Sequence, residues 1–213
     1  MQNKKLVLLS TIAVIVIFLV VGYIYKNKES EKFIKMSEEQ SSLFQRDYSF
    51  VIGNKDAKVQ LVEFFDPACE TCALFHPHVK EIMKKNEGKI KLVLRYAPYH
   101  KDSDYAVMIL EGAREQGLFI DVLDFIFDTQ NYWVKHHQVN IKDLWDILPN
   151  VKGLDMQKLK EFIESKKADA IIKQDLEDAK TLGANKTPSY FVNGKPLQEF
   201  GLENLKKLID SEL

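Results

Sequence analysis

The stretch Val59-Gln-Leu-Val-Glu-Phe-Phe-Asp-Pro-Ala-Cys-Glu-Thr-Cys72 constrains this chain more than any other. From Lys58 to Phe65 the apolar character is nearly continuous on both faces, Glu63 being the exception, which is the pattern of a central strand covered by helices. Cys69 and Cys72 follow at once, and they are the only cysteines in the sequence. With two residues between them, one helical turn presents both sulfurs together, so the pair can close a small disulfide or act in turn as attacker and resolver. Two cysteines are too few for the disulfide framework that staples small secreted domains, and a structural zinc site normally uses four ligands. The pair therefore points to chemistry rather than architecture. An inert surface disulfide is the alternative, but so small a ring ties down little chain entropy.

The flanking pattern extends the strand into an α/β domain. After Cys72, Phe75, Val79, Ile82 and Met83 recur at helical spacing, Pro77 inside that helix predicts a kink, and Asn86 with Gly88 supplies the stop. Lys89 to Tyr96 is a second strand, so strand, helix and strand form a βαβ unit with a parallel pair. Ser49 to Ile52 is a short first strand, followed by turn chemistry in Gly53-Asn-Lys-Asp56. From about Ser103 to Leu182 the pattern is helical throughout, Ser103 serving as a cap and the aliphatic and aromatic stripes as core. Ser189 to Val192, Asn193-Gly194 and Lys195 to Gln198 predict a hairpin with a type I′ turn. A terminal helix carries Leu202, Leu205, Leu208 and Ile209.

At 213 residues the chain suffices for one domain plus an appendage. The appendage is N-terminal: Leu6 to Ile24 holds no charged side chain and has the length of a membrane-crossing helix. We assign residues 1–25 to an anchor, 26–47 to a polar spacer with room for one short amphipathic helix, and 48–213 to the folded domain. Lys4 and Lys5 precede the apolar run, whereas Lys26 and Lys28 after it are mixed with Glu29 and Glu31, which favours a cytoplasmic N-terminus and an exported body. A cleavable signal peptide ending near Val20 and Gly22 is the competing reading. The run ends in bulky Tyr23, Ile24 and Tyr25 rather than an Ala-x-Ala pattern, so the uncleaved anchor is preferred. The net charge of −1, with both signs interleaved, supplies no basic patch for nucleic acid.

Gly53-Asn-Lys-Asp-Ala57, Val62-Glu-Phe-Phe-Asp66, Cys69-Glu-Thr-Cys72 and Thr187-Pro-Ser-Tyr-Phe-Val-Asn-Gly194 together resemble the DsbA family of thioredoxin-fold thiol-disulfide oxidoreductases, in particular its membrane-tethered members. The resemblance implies a thioredoxin fold whose all-helical insertion is residues 103–182. It makes Cys69 the exposed nucleophile and Cys72 the buried resolving cysteine. An amide-rich helix start favours the thiolate at Cys69. Glu63 takes the position of a buried acid that exchanges a proton with Cys72. Pro188 matches the cis-proline facing the cysteines, with Thr187 free to pair with an extended substrate.

Glu70 and Thr71 replace the Pro-His pair of the best-known strongly oxidising members. A carboxylate beside Cys69 and no imidazole imply a less acidic nucleophile and a less oxidising disulfide. The implied activity is the introduction of disulfides into exported cysteine-containing proteins, with a DsbB-like, quinone-linked membrane partner. The reductase or isomerase direction, fed by a membrane reductant, stays open. No cofactor is implied beyond the Cys69–Cys72 disulfide. A rival from another class is an exported zinc- or copper-binding protein using Cys69, Cys72 and His76, since Cys72 and His76 lie one helical turn apart. His100, His136 and His137 have no visible companions and are expected to be solvated.

Overall fold

A computed structural model describes residues 4–39 and 41–213. Met1, Gln2 and Asn3 of the expected anchor, and Gln40 of the expected spacer, lie outside the described residues. The first element is a single helix, α1 (Lys4–Glu39), whose segment Leu8–Tyr25 is long and apolar enough to cross a membrane by length and composition. The helix does not end with the apolar run but continues through much of the stretch expected to be a spacer. Residues 23–39 contain no proline or glycine and are rich in Lys and Glu, good helix formers, with Lys35 and Glu39 paired one turn apart at 3.6 Å. A 3₁₀ turn, Ser41–Leu43, then leads into the domain.

The domain is built on a five-stranded sheet formed by β1 (Phe50–Gly53), β2 (Val59–Phe65), β3 (Ile90–Tyr96), β6 (Ser189–Val192) and β7 (Lys195–Pro196), in the order β1-β3-β2-β6-β7. β2 and β3 are parallel, joined through α2 (Glu70–Lys85); the other pairings are antiparallel. β2 is central and nearly wholly buried, as its two-sided apolar pattern requires. Its residues Val59, Leu61 and Phe65 join the core beneath α2, with Cys72, Phe75, Val79 and Ile82. Val62 and Phe64 face the other way, toward Phe44, Ala179 and Phe191. The hairpin turn at Asn193-Gly194 has positive φ at both residues, as a type I′ turn needs. α9 (Leu202–Asp210) closes the domain.

The insertion consists of α3 (Ser103–Arg114), α4 (Phe119–Asp128), the short α5 (Gln130–Trp133), α6 (Ile141–Ile147), a 3₁₀ turn (Leu148–Asn150), α7 (Met156–Glu164) and α8 (Lys167–Thr181). It is helical except for a small antiparallel ribbon, β4 (Val134–Lys135) and β5 (Gln138–Val139), turned by His136 and His137, both at positive φ. Ser103 does not cap α3 as expected. Asp102 holds that position in the left-handed region, and the Ser103 hydroxyl bonds instead to the His100 carbonyl at 2.9 Å and Asp66 at 3.3 Å.

A buried polar network is centred on Arg95. Arg95 is fully buried, its Nε and Nη2 donate to Asp175 Oδ1 at 3.0 and 2.7 Å, and Nη2 also reaches Asp178 Oδ2 at 2.5 Å. Arg95 Nη1 donates to the Leu43 carbonyl at 2.8 Å, and Arg46 grips Asp178 with two bonds of 2.8 and 2.6 Å. The Tyr48 hydroxyl and the Tyr96 amide donate to Asp175, each at 2.7 Å. These bonds join β3, α8 and the segment 43–48.

Gly53 ends β1 at φ 98°, and a Cβ there would meet the Ile90 carbonyl oxygen at 2.6 Å. Both the left-handed backbone and the backbone clash oppose any side chain. Gly53→Ala should therefore lower stability by at least ~2 kcal/mol, read as a shift in the denaturation midpoint at unchanged slope.

Candidate active site

The end of β2 and the start of α2 assemble the site. Cys69 is the N-cap of α2, with extended backbone (φ −81°, ψ 118°), and Cys72 lies in the first helical turn. Both sulfurs are thiols in this structure and both are buried: Cys72 fully, Cys69 with 6% of its surface accessible. Cys69 is thus more enclosed than the exposed nucleophile expected, because the loop before β6 lies against it. Its Sγ is 3.3 Å from the Thr187 carbonyl oxygen, and the Thr187–Pro188 peptide bond is cis.

The two thiols differ in acidity. The Cys72 thiol beside it, the Thr187 side chain and the amides of Cys72 and Thr71 bring Cys69 down to about 6, against the opposing effect of burial. Burial pushes Cys72 well above the ordinary thiol value, reinforced by Cys69 and Glu63. Such a pair can present one thiolate while holding the second sulfur protonated.

Glu70, expected to oppose the Cys69 thiolate, is exposed, and its Oε2 lies 3.5 Å from His137 Nδ1. Solvent and an adjacent imidazole weaken its action on the sulfur. The histidines expected to be solvated are not all so. His100 sits with its Nδ1 2.7 Å from Asp66 Oδ2, its ring 6.0 Å from that of His137 between centroids. The hydrogen bond to Asp66 raises the His100 pKa, with Cys69 and Glu70 adding to the rise. His76, the ligand of the rival metal site, turns to α4, where its Nε2 lies 2.6 Å from Asp124 Oδ1. Among the described residues, no group of three or more His, Cys, Asp or Glu side chains is disposed to hold a metal ion.

Asp66 was quoted in the sequence only as part of a motif, yet it organises the loops around the cysteines. It is wholly buried and accepts from the Ala68 amide at 2.8 Å on one oxygen. Its other oxygen accepts from the Tyr99 and His100 amides at 2.7 and 2.8 Å. An acid closing an apolar strand three residues before a cysteine was the available signal; its partners Tyr99 and His100, more than thirty residues away, were not.

Glu63 is 4% exposed, on the face of β2 that meets α2. Burial raises its pKa to about 7, a hydrogen bond from Tyr190 acting against the rise and Cys69 with it. A carboxyl group whose pKa is higher folded than unfolded binds more protons in the folded state between the two values. Its destabilising effect is therefore absent below about pH 4.5, grows as pH rises, and is complete above about 7. Glu63→Gln should then stabilise the protein above pH 7, by up to roughly 3 kcal/mol, and leave it unchanged at pH 4. Denaturant unfolding at both pH values checks this.

Residues 45–211 match the thioredoxin family. The chain belongs to that family. A Rickettsia prowazekii protein (strain Madrid E) named as a protein-disulfide oxidoreductase is 29% identical over 175 residues, covering 78% of this chain and 62% of its own length. A Bacillus anthracis protein named as disulfide bond formation protein D is 28% identical over 223 residues, covering 100% of this chain and 98% of its own. Among solved structures, a thioredoxin-like oxidoreductase from Silicibacter pomeroyi DSS-3 superposes with a TM-score of 0.69 at 28% identity, covering 81% of this chain and 96% of that one. The thioredoxin fold with its helical insertion and the DsbA-like resemblance read from the sequence are borne out. In this thioredoxin-family chain the cysteine pair, the acid beneath it and the cis-proline loop converge on one end of the central strand.

Proposed function

We propose that this chain is a membrane-anchored, extracytoplasmic thiol-disulfide oxidoreductase that introduces disulfides into exported proteins. One observation carries the reading: a thiol brought to about 6 at the start of a helix, 3.3 Å from the Thr187 carbonyl beside cis-Pro188, with a second, buried thiol behind it.

A substrate thiolate attacks Cys69 of the oxidised pair, giving a Cys69–substrate disulfide and releasing Cys72 as a thiolate. Glu63 supplies the proton that converts Cys72 to its thiol. A second substrate thiolate then attacks the substrate sulfur of the mixed disulfide, forming the product disulfide and releasing Cys69 as a thiolate. Two electrons pass from substrate to enzyme. Thr187 and Pro188 would pair with the substrate as an extended strand, and the groove alongside, lined by Ala184, Lys186, Leu197 and Phe200, supports that binding. The apolar helix Leu8–Tyr25 supports anchoring, and reoxidation falls to a membrane partner of the DsbB type.

The direction of electron flow is decided by potential. A nucleophile at about 6 lies between the thioredoxin value near ~7 and the DsbA value near ~3.5. The reduction potential of the full chain in detergent, equilibrated against glutathione, should accordingly fall between about −270 and about −120 mV. A value toward the upper limit supports disulfide donation. A value at or below the lower limit overturns it in favour of a reductase or isomerase supplied with electrons through the membrane.

A further inference from the structure

The surroundings of Glu63 are set by register. It pairs directly with Leu94 of β3 on one side and Tyr190 of β6 on the other. Leu94 offers nothing polar, whereas the Tyr190 hydroxyl donates to Glu63 Oε1 at 3.0 Å, and both side chains are buried. The Tyr190 ring lies against Phe75 of α2, with centroids 6.3 Å apart, which fixes where its hydroxyl points. The titratable groups sharing this face are Cys69 and Cys72 from the start of α2 and Tyr190 from β6. β3 contributes Leu92, Leu94 and Tyr96, and the Tyr96 hydroxyl is given to Glu111 at 2.6 Å. No lysine or arginine among the described residues bears on the Glu63 charge. A carboxylate in an apolar strand without a cation needs a hydrogen-bond donor to ionise at all.

We propose that Tyr190 is a positioning residue for thiol-disulfide exchange: its hydroxyl holds the Glu63 carboxyl group beside the cysteine pair and stabilises the carboxylate, so that Glu63 and Cys72 pass a proton in either direction. The inference rests on the reading of Glu63 as the proton-exchanging acid. When the internal disulfide is attacked at Cys69, the Cys69–Cys72 bond breaks and Cys72 leaves as a thiolate. The proton moves from the Glu63 carboxylic acid to Cys72, and the resulting carboxylate accepts the Tyr190 hydrogen bond. In the reverse direction Cys72 gives its proton to the carboxylate, and its thiolate attacks Cys69, re-forming the internal disulfide and releasing the substrate thiolate. Neither Glu63 nor Tyr190 gains or loses electrons.

The test is an infrared titration of the protonated carboxyl band in the oxidised full chain in detergent, with Glu63→Gln identifying the band. Tyr190→Phe should raise the midpoint by about one pH unit, the scale of a lost hydrogen bond to a charged group. Incorporation of 3-fluorotyrosine at position 190, a more acidic donor of nearly the same size, should lower it, and keeps the test in force if Tyr190→Phe fails to fold. The pH profile of exchange with a model dithiol should move with the midpoint, whereas a merely structural role would change the melting temperature alone. If neither Tyr190 variant moves a midpoint that Glu63→Gln abolishes, the role of Tyr190 is overturned and the reading of Glu63 stands. If Glu63→Gln leaves the pH profile of exchange as it was, that reading itself falls, and the inference with it.

Discussion

Cys69→Ser abolishes thiol-disulfide exchange, with an expected loss of at least ~10³-fold in the rate of insulin reduction or of refolding of a reduced cysteine-containing substrate. The hydroxyl that replaces the thiol has no accessible anion near neutral pH and cannot form the mixed disulfide. Cys72→Ala gives a different outcome from the same assay. Cys69 can still be joined to a substrate, but no internal thiol remains to resolve the adduct, so a covalent complex accumulates and is seen on a non-reducing gel. The Cys72 thiol is also the foremost cause of the low Cys69 value. Cys72→Ala should therefore raise the midpoint of the Cys69 thiolate absorbance above 6, toward that of an ordinary thiol. Full exchange activity in Cys69→Ser would end the assignment of this sulfur as nucleophile. An unmoved midpoint in Cys72→Ala would show that the helix amides and the Thr187 side chain alone set its acidity.

The largest loss of stability is expected from Arg95→Ala. Arg95 is fully buried and serves Asp175, Asp178 and the Leu43 carbonyl at once. Its removal leaves Asp175 in the interior with the Tyr48 hydroxyl and the Tyr96 amide but no cation, and leaves Asp178 to Arg46 and the Gln174 side-chain amide. Breaking a buried pair from one side costs about 3–5 kcal/mol, because the uncompensated charge keeps its desolvation penalty. The double change Arg95→Met with Asp175→Leu should cost less than Arg95→Ala alone, since no orphaned charge remains at the centre. Chemical denaturation of the three chains decides the matter. A loss below about 1 kcal/mol for Arg95→Ala would mean that water or Arg46 replaces the guanidinium.

What the sequence disclosed follows from the range over which each signal acts. β2, α2 and β3 were legible because their apolar periodicity is local and strong, and Asn193-Gly194 because a type I′ turn has its own chemistry. The cysteine pair and Thr187-Pro188 could be brought together only through resemblance. The two-residue strands of the β4–β5 ribbon are too short to show a period, so 134–139 passed for helix. His100 looked solvated because Asp66, its partner, is thirty-four residues upstream. Tyr190 was legible only as a hairpin-strand residue, because its relation to Glu63 depends on a strand register that no local pattern encodes. The helical continuation of α1 to Glu39 was legible in principle, since Lys- and Glu-rich segments favour helix, but high polarity also describes a linker.

The Arg95 network also defines a load path. Leu43, Arg46 and Tyr48 help fasten the chain arriving from α1 to the domain, beside the buried Phe44, and their anchors are Asp175 and Asp178 on α8 and Arg95 on β3. Arg95 lies over Phe64, on the side of the sheet turned away from α2 and the cysteines. The ion pairs that fasten the stem thus lie on the face of the sheet opposite the one where Cys69 meets Thr187.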